Sequence, residues 1–477
     1  MVNPVLLIAL PLLLAFVSIV FKAYKNNLLV FGTLLNAGLV LTLNKGQYII
    51  GGFQPPFGIN LVLDDFALTG ILIINGLFLV ITLMSLEKLE GFASVLLVAL
   101  AGLNGLVLTG DLFNLFVFLE ITAITAYILS SASKEYRYAF NYLVLGTLGS
   151  GLYLFGLIVL YAVFGTLNMA DLSVKMAAVD ASQLVLPSLL IFIGLAVEVK
   201  ILPFNGWVKG VYSGTNSLVG PLFASVYAAG MLFVFGRIFA QVIPLGTYLR
   251  TSLVVLGALT LLAGEVAALS KTRIREILLY SSIGQSGLIA ALFLSGLVFV
   301  AVMQLVNNAL SKAILFTVAG QMADSTGTDE GEELQGAFLE HKIAGVGFTI
   351  AALSLIGLPL FYGFISKMNL LFGIFYSDNY WLPVVILLGT VIEGTYMVRL
   401  LVKLWTPGDE GIVSEKAFAT ERPLTIQSSK VMGIVVLSVV LLIGGLLPAV
   451  IQDNLTDSGS LLDEVTPAYL FDLKGGQ

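Results

Sequence analysis

The sequence predicts an all-α polytopic membrane protein of about fourteen transmembrane helices, with two inverted five-helix repeats in which spans 7 and 12 are broken. Three observations lead there. The chain is 58% hydrophobic and only 11% charged, with a mean hydropathy of +1.01, whereas soluble domains carry about 25% charged residues. Apolar runs of about twenty residues, enough to cross a bilayer core, recur with centres near residues 12, 36, 75, 99, 122, 151, 195, 229, 259, 284, 308, 356, 392 and 441. Two of these runs are interrupted by Pro and Gly close to a lysine, at Lys200, Pro203 and Gly206 and at Gly357, Pro359, Gly363 and Lys367.

Taken in order, spans 1–3 fill residues 1–90 of a single membrane domain, 1–477. The first starts at Val5 without a basic n-region or a small-residue cleavage site, so it reads as a retained span. Spans 4–8 form the first repeat, 91–242, and spans 9–13 the second, 249–405; span 14 covers 433–452 and a solvated acidic tail 453–477. A Gly/Pro break frees backbone groups that only protein or water can satisfy, so such a segment lines an interior path. Paired breaks at corresponding places in two halves point to inverted repeats with ion sites at the breaks. The polar stretches Asp324–His341 and Pro407–Lys430 read as loops or short surface helices. Loops after odd-numbered spans hold most of the Lys and Arg, among them Lys134, Arg137, Lys271, Arg273 and Arg275. Loops after even-numbered spans hold only Lys45, Lys175 and Arg250. The positive-inside rule then puts both termini outside a plasma membrane.

Six ionisable residues lie within the apolar runs: Glu120, Glu198, Lys200, Lys312, Lys367 and Glu393. Each costs at least about 2.5–3.5 kcal/mol at the centre of a bilayer, and such residues usually face the interior and mark an ion pathway. Glu120 follows Asp111, the expected helix start, by nine residues, which puts it roughly 13.5 Å deep. Asn307, Asn308, Ser281, Ser282 and Gln285 would line and hydrate the route between the lysines. Glu198 and Lys200 are about 200° apart on a regular helix, so they should face opposite ways, and the sequence leaves open which one faces Glu120. Glu265 and Arg237 lie near span ends, where snorkelling to the interface is expected.

Other chemistry is excluded or exported. There is no cysteine, hence no disulfide or iron–sulfur ligand, and the lone His341 builds no metal or haem site. The net charge of −6 is diffuse, with no basic tract for nucleic acid.

The segments DLFNLFVFLEITAITAYIL (111–129), KILPFNGW (200–207), KTRIREILLYSSIGQSGLI (271–289), NNALSKAILF (307–316) and GLPLFYGFISKMNLL (357–371) are together similar to the antiporter-like subunit family. That family comprises the large membrane subunits of complex I, the two large subunits of Mrp-type Na⁺/H⁺ antiporters, and their counterparts in membrane-bound hydrogenases and archaeal sulfur-reducing complexes. The resemblance spans about residues 60–405. It implies that Glu120 matches the family's span-5 glutamate, Lys367 its span-12 lysine, and Lys312 the lysine of span 11, all on a water-filled polar axis. Departures stand beside these matches. Glu198 holds the position of the span-7 lysine, with Lys200 two residues on; Ala229 falls at the central span-8 lysine; Asn308 and Gln285 replace histidines.

The expected function is therefore H⁺ translocation, or exchange of H⁺ for Na⁺, by a subunit of a redox-driven respiratory complex of the hydrogenase or sulfur-reductase type, archaeal or bacterial. The alternatives are a subunit of a non-redox Mrp Na⁺/H⁺ antiporter and a non-conducting scaffold with a degraded path. This chain binds no cofactor in that reading. Iron–sulfur and NiFe clusters belong to partner subunits in a peripheral redox arm, and the remaining partners are other membrane subunits, antiporter-like and small Mrp-type ones, the transported H⁺ and Na⁺, and the bilayer.

Overall fold

The computed structural model describes residues 2–86, 89, 91–134, 136–213, 217–375, 381–407 and 428–447. The acidic tail, the end of the expected span 14 and most of the polar stretch before it lie outside the described residues.

The helices in chain order are α1 (Leu6–Val20), α2 (Lys25–Val40), α3 (Asp65–Met84), α4 (Ala93–Leu108), α5 (Leu112–Ser130), α6 (Tyr136–Phe164), α7 (Met169–Ala177), α8 (Val185–Val199) and α9 (Val208–Ser213). Then come α10 (Val219–Val242), α11 (Thr247–Leu269), α12 (Ile274–Leu294), α13 (Val298–Thr326), α14 (Lys342–Ile356), α15 (Tyr362–Phe375), α16 (Leu382–Trp405) and α17 (Ser428–Leu446). Among the described residues ten helical segments are long and apolar enough to cross a membrane; α1, α4 and α14 are shorter apolar helices.

The all-α expectation needs one amendment. A two-stranded antiparallel hairpin, β1 (Gly46–Ile49) and β2 (Asn60–Leu63), joins α2 to α3 with Gly46 opposite Leu63 and Ile49 opposite Asn60. Four-residue strands are invisible to a search for runs of about twenty apolar residues. Leu61 bridges onward to Thr109, and Asp111 to Asn168, so the hairpin ties down the starts of α5 and α7. The starts of α5 and α3 are capped as their sequence demands. Asp111 accepts from the amides of Phe113 (2.9 Å) and Asn114 (2.8 Å), and Asp64 accepts from that of Ala67 (2.7 Å). Asp64 also receives two guanidinium bonds from Arg237, 2.5 and 2.7 Å long, which fastens α3 to α10.

The architecture has a clear centre. In α10 and α12, 94% of the most apolar window is buried, against 33% in α6. A helix that is apolar all round and wholly buried belongs to a bundle core, whereas α6 covers the flank. α10 contains two π-helical turns, Leu222–Tyr227 and Arg237–Val242. α11 packs on α12 through glycines: Gly257 lies against the Gly287 carbonyl, and Gly264 against the backbone of Gly284. Small residues of this kind let membrane helices approach backbone to backbone.

The chain leaves the helical path at the two Gly/Pro sites. α8 stops at Val199, Lys200 is left-handed (φ 68°), and helix resumes at Val208. α14 stops at Ile356, Gly357 (φ 83°) and Leu360 (φ 81°) are left-handed, and helix resumes at Tyr362. The freed amides are satisfied from neighbouring side chains, that of Leu202 by Thr260 Oγ1 (3.2 Å) and that of Gly363 by Ser354 Oγ (3.1 Å).

Candidate ion pathway

On the α5 flank, Glu120 is half-buried. It shares a helix face with Phe113, Val117, Ile124 and Ile128, all of them exposed. Glu198 lies within Coulombic reach of Glu120 and accepts a 2.9 Å hydrogen bond from Tyr142 of α6. Tyr142 stacks on Trp207 (centroids 3.8 Å apart), and the Trp207 indole donates to the Val197 carbonyl (3.0 Å). The tryptophan just before α9 thus holds the last turn of α8, and with it Glu198, against α6.

Lys200 points the other way. Its left-handed backbone, which costs a residue with a side chain about 1–3 kcal/mol, sends the ammonium towards α12. Nζ donates there to Ser282 Oγ (2.9 Å) and, more weakly, to Tyr212 (3.4 Å). Only 2% of Lys200 is exposed. Glu198 is therefore the residue on the Glu120 side, the choice that periodicity left open. A cavity lined by Tyr142, Glu198, Lys200, Tyr212 and Tyr227 gives about 20 Å³ to the centre of a water, room for one molecule. Glu198 also lines a smaller cavity beside Leu119 and Ala123 of α5.

The centre is built on α12. Ser281, next to Ser282, accepts from the ammonium of Lys312 (2.6 Å), which also reaches the Leu278 carbonyl (3.3 Å). Lys312 is fully buried. Two lysines thus meet two adjacent serines of one helix. Around them Asn308 Oδ1, Ser311 Oγ and Ser286 Oγ are buried without a protein partner; buried polar atoms of this kind are usually satisfied by ordered water. Ala229 is buried in α10 and contributes no polar group.

In the second half Lys367 Nζ contacts Glu393 Oε2 (3.2 Å) and the freed carbonyl of Ile356 (3.0 Å). Glu393 Oε1 accepts from Gln285 (3.0 Å), Gln285 from Gln304 (2.8 Å), and Gln304 from Ser366 (2.8 Å). Asn307 and Ser354 exchange bonds of 3.3 and 2.7 Å beneath the interruption of α14. Gly357 is required there, because a Cβ would run into the Lys367 stem.

Glu265 and Arg237 correct the snorkelling expectation. Glu265 is 0% exposed and accepts a 2.7 Å bond from Tyr396. The glycine contact between α11 and α12 leaves its side chain no route to the interface. Arg237 is held by Asp64 instead of reaching outward. Tyr142, Tyr396 and Gln304 are further network members that sequence reasoning missed, since a buried Tyr or Gln in an apolar run carries no periodic signal. Among the described residues no three His, Cys, Asp or Glu side chains gather to hold a metal ion.

The family model described as NADH:quinone oxidoreductase/Mrp antiporter, transmembrane part, matches residues 109–393. The chain is 30% identical over 446 residues to the N subunit of the NADH-quinone oxidoreductase of Desulforudis audaxviator, covering 87% of this chain and 88% of that one. It is 29% identical to the D subunit of the Na(+)/H(+) antiporter of Bacillus subtilis, with 83% and 86% covered. Its fold matches a chain of the membrane-bound sulfane sulfur reductase, an archaeal respiratory membrane complex, with a TM-score of 0.86, 28% identity and 96% and 97% coverage. A chain of the Mrp complex from a Dietzia species matches with a TM-score of 0.85 at 22% identity, covering 97% and 98%, and shares the fold alone. The chain belongs to the NADH:quinone oxidoreductase/Mrp antiporter membrane-subunit family and is a multi-pass integral membrane protein.

Proposed function

We propose that this family member is the antiporter-like subunit of a redox-driven respiratory complex of the sulfur-reductase or hydrogenase type, and that it moves H⁺, or H⁺ in exchange for Na⁺, along Glu120, Glu198, Lys200, Lys312, Lys367 and Glu393. The observation that carries this is the run of buried polar contacts from Tyr142–Glu198 through Lys200–Ser282 and Ser281–Lys312 to Gln285–Glu393–Lys367. Ionisable groups this deep in a bilayer, linked by hydroxyls and single-water cavities, are what a proton relay needs. Counting the shorter apolar helices α1, α4 and α14 and the sixteen-residue α2 as spans beside the ten long ones gives fourteen, with spans 7 and 12 broken beside Lys200 and before Lys367. The Lys/Arg pattern then puts both termini outside a plasma membrane.

Glu120 supports a membrane partner. A carboxylate half-exposed on an apolar helix face would cost about 2.5–3.5 kcal/mol against lipid, so another subunit is expected to cover the α5 flank. The redox type rests on the sulfane sulfur reductase match, higher in identity than the Mrp structure. A non-redox antiporter is the second reading, carried by the Bacillus antiporter relative at 29% identity. A scaffold role is carried by Ala229 and Glu198, where the family resemblance puts lysines.

The test is a mild-detergent pull-down of the tagged protein, with mass spectrometry and iron analysis. Co-purifying iron–sulfur subunits of hydrogenase or reductase type support the redox reading. A purely membranous, iron-free set of partners overturns it in favour of the antiporter.

A further inference from the structure

We infer that Glu265 is a further proton-accepting residue of the pathway, paired with Lys312 through the hydroxyls of Ser281 and Tyr396. The inference rests on the proton-axis reading above. It starts from an imbalance in the second half. Both oxygens of Glu393 are engaged, one by Lys367 and one by Gln285. Lys312, fully buried, touches no carboxylate among the described residues; its contacts are Ser281 Oγ and the Leu278 carbonyl.

The missing carboxylate is Glu265. The glycine seam between α11 and α12 presses it under Gly284, where any Cβ would collide with Glu265 Oε1. Its Oε2 accepts from Tyr396, while its buried Oε1 has no hydrogen-bond partner. Among the described residues no lysine or arginine forms an ion pair with it. Tyr396 also lies beside Ser281, so only the short step between these two hydroxyls separates the Lys312–Ser281 bond from the Tyr396–Glu265 bond. The charged groups facing Glu265 from the elements around it are Lys312 of α13, Lys367 of α15 and Glu393 of α16.

The transfer balances. Lys312 gives a proton to Ser281 Oγ, Ser281 gives its own to the Tyr396 oxygen, and Tyr396 gives its own to Glu265 Oε2. A charged lysine and carboxylate become a neutral amine and acid, and the hydroxyls rotate to reset. The second half then holds two lysine–carboxylate pairs, Lys367–Glu393 in direct contact and Lys312–Glu265 bridged by hydroxyls. A buried pair that neutralises by transfer avoids the cost of two fixed charges in a low-dielectric interior.

The experiment uses vesicles containing the intact complex, with a pH-sensitive dye reporting proton movement under an imposed Na⁺ gradient and a K⁺/valinomycin potential. Glu265→Gln still accepts the Tyr396 hydrogen bond but cannot take up a proton. The expected result is normal assembly, a loss of transport of at least tenfold, and partial recovery with a shifted pH profile in Glu265→Asp. Lys367→Ala runs alongside. If Lys367→Ala fails to transport and Glu265→Gln transports normally, the role of Glu265 is overturned and the axis stands. If both transport normally, the axis itself is wrong, and the role of Glu265 falls with it. Should Glu265→Gln not assemble, Tyr396→Phe and Ser281→Ala decide: transport at the wild-type rate in both overturns the inference, and loss in both supports it.

Discussion

Replacing Lys367 by Met and Glu393 by Leu, singly and together, separates stability from transport at the same pair. Lys367 is 11% and Glu393 1% exposed, and their heavy atoms are 3.2 Å apart. Each single change leaves one buried charge without its counter-ion, at a cost of about 3–5 kcal/mol. Additive behaviour would put the double variant at about 6–10 kcal/mol. Instead, removing both charges also removes the desolvation penalty, which makes hydrophobic replacement neutral or stabilising by about 1–4 kcal/mol. Against that gain stand the Gln285 amide and the Ile356 carbonyl, which lose their partners at about 1–3 kcal/mol each. The double variant should therefore lie only roughly 1–3 kcal/mol below wild type, a coupling of about 6 kcal/mol. Unfolding by SDS titration in mixed micelles measures all four corners of the cycle. Transport should stay lost in the double variant despite the regained stability. Additive single costs would refute the pairing, and a stable, transporting double variant would refute its place in the pathway.

Other substitutions read other parts of the account. Gly264→Ala puts a methyl into the backbone of Gly284 and should cost about 1–3 kcal/mol, seen as a lower SDS midpoint. Arg237→Ala leaves Asp64, 13% exposed, with its helix cap alone and should cost about 2–4 kcal/mol by the same titration, at the lower end of buried-pair losses because of that exposure. At the loop after α13, the Arg273 hydrogen bond holds the Glu330 carboxyl below its usual 4.5. Its contribution to stability is thus present above that pH and lost as pH falls through the lowered value. Limited proteolysis should cut this loop faster as the pH falls below the usual glutamate range, and Arg273→Ala should remove that pH dependence.

Much of this was legible in the sequence because membrane burial is a coarse signal. Charges in the middle of apolar runs stand out, and Lys200, Lys312, Lys367, Glu198 and Glu393 all lie buried or half-buried, each with a polar side-chain partner on a neighbouring element. The Gly/Pro sites likewise announce where the chain leaves the helix. Rotation was not legible: around Lys200 nearly every neighbour is apolar, and only the left-handed turn and the Trp207 brace decide that Glu198 faces Tyr142. Glu265 was misread for a related reason. It lies one turn from the end of α11, a place where a free helix lets a carboxylate reach water. What holds it inside is the fit of Gly264 and Gly284 across two helices, and a glycine gives no sign in one chain of which backbone it will meet. The strands of the hairpin were too short to register beside runs of twenty.

The most direct measurement of the central claim is ion movement by vesicles holding the intact complex with Glu120→Gln or Lys367→Ala, each checked for full assembly. The account predicts that both variants assemble and that translocation falls by about tenfold or more, equivalent to at least 1.4 kcal/mol on the limiting step. Wild-type translocation in both would contradict a proton axis through this chain.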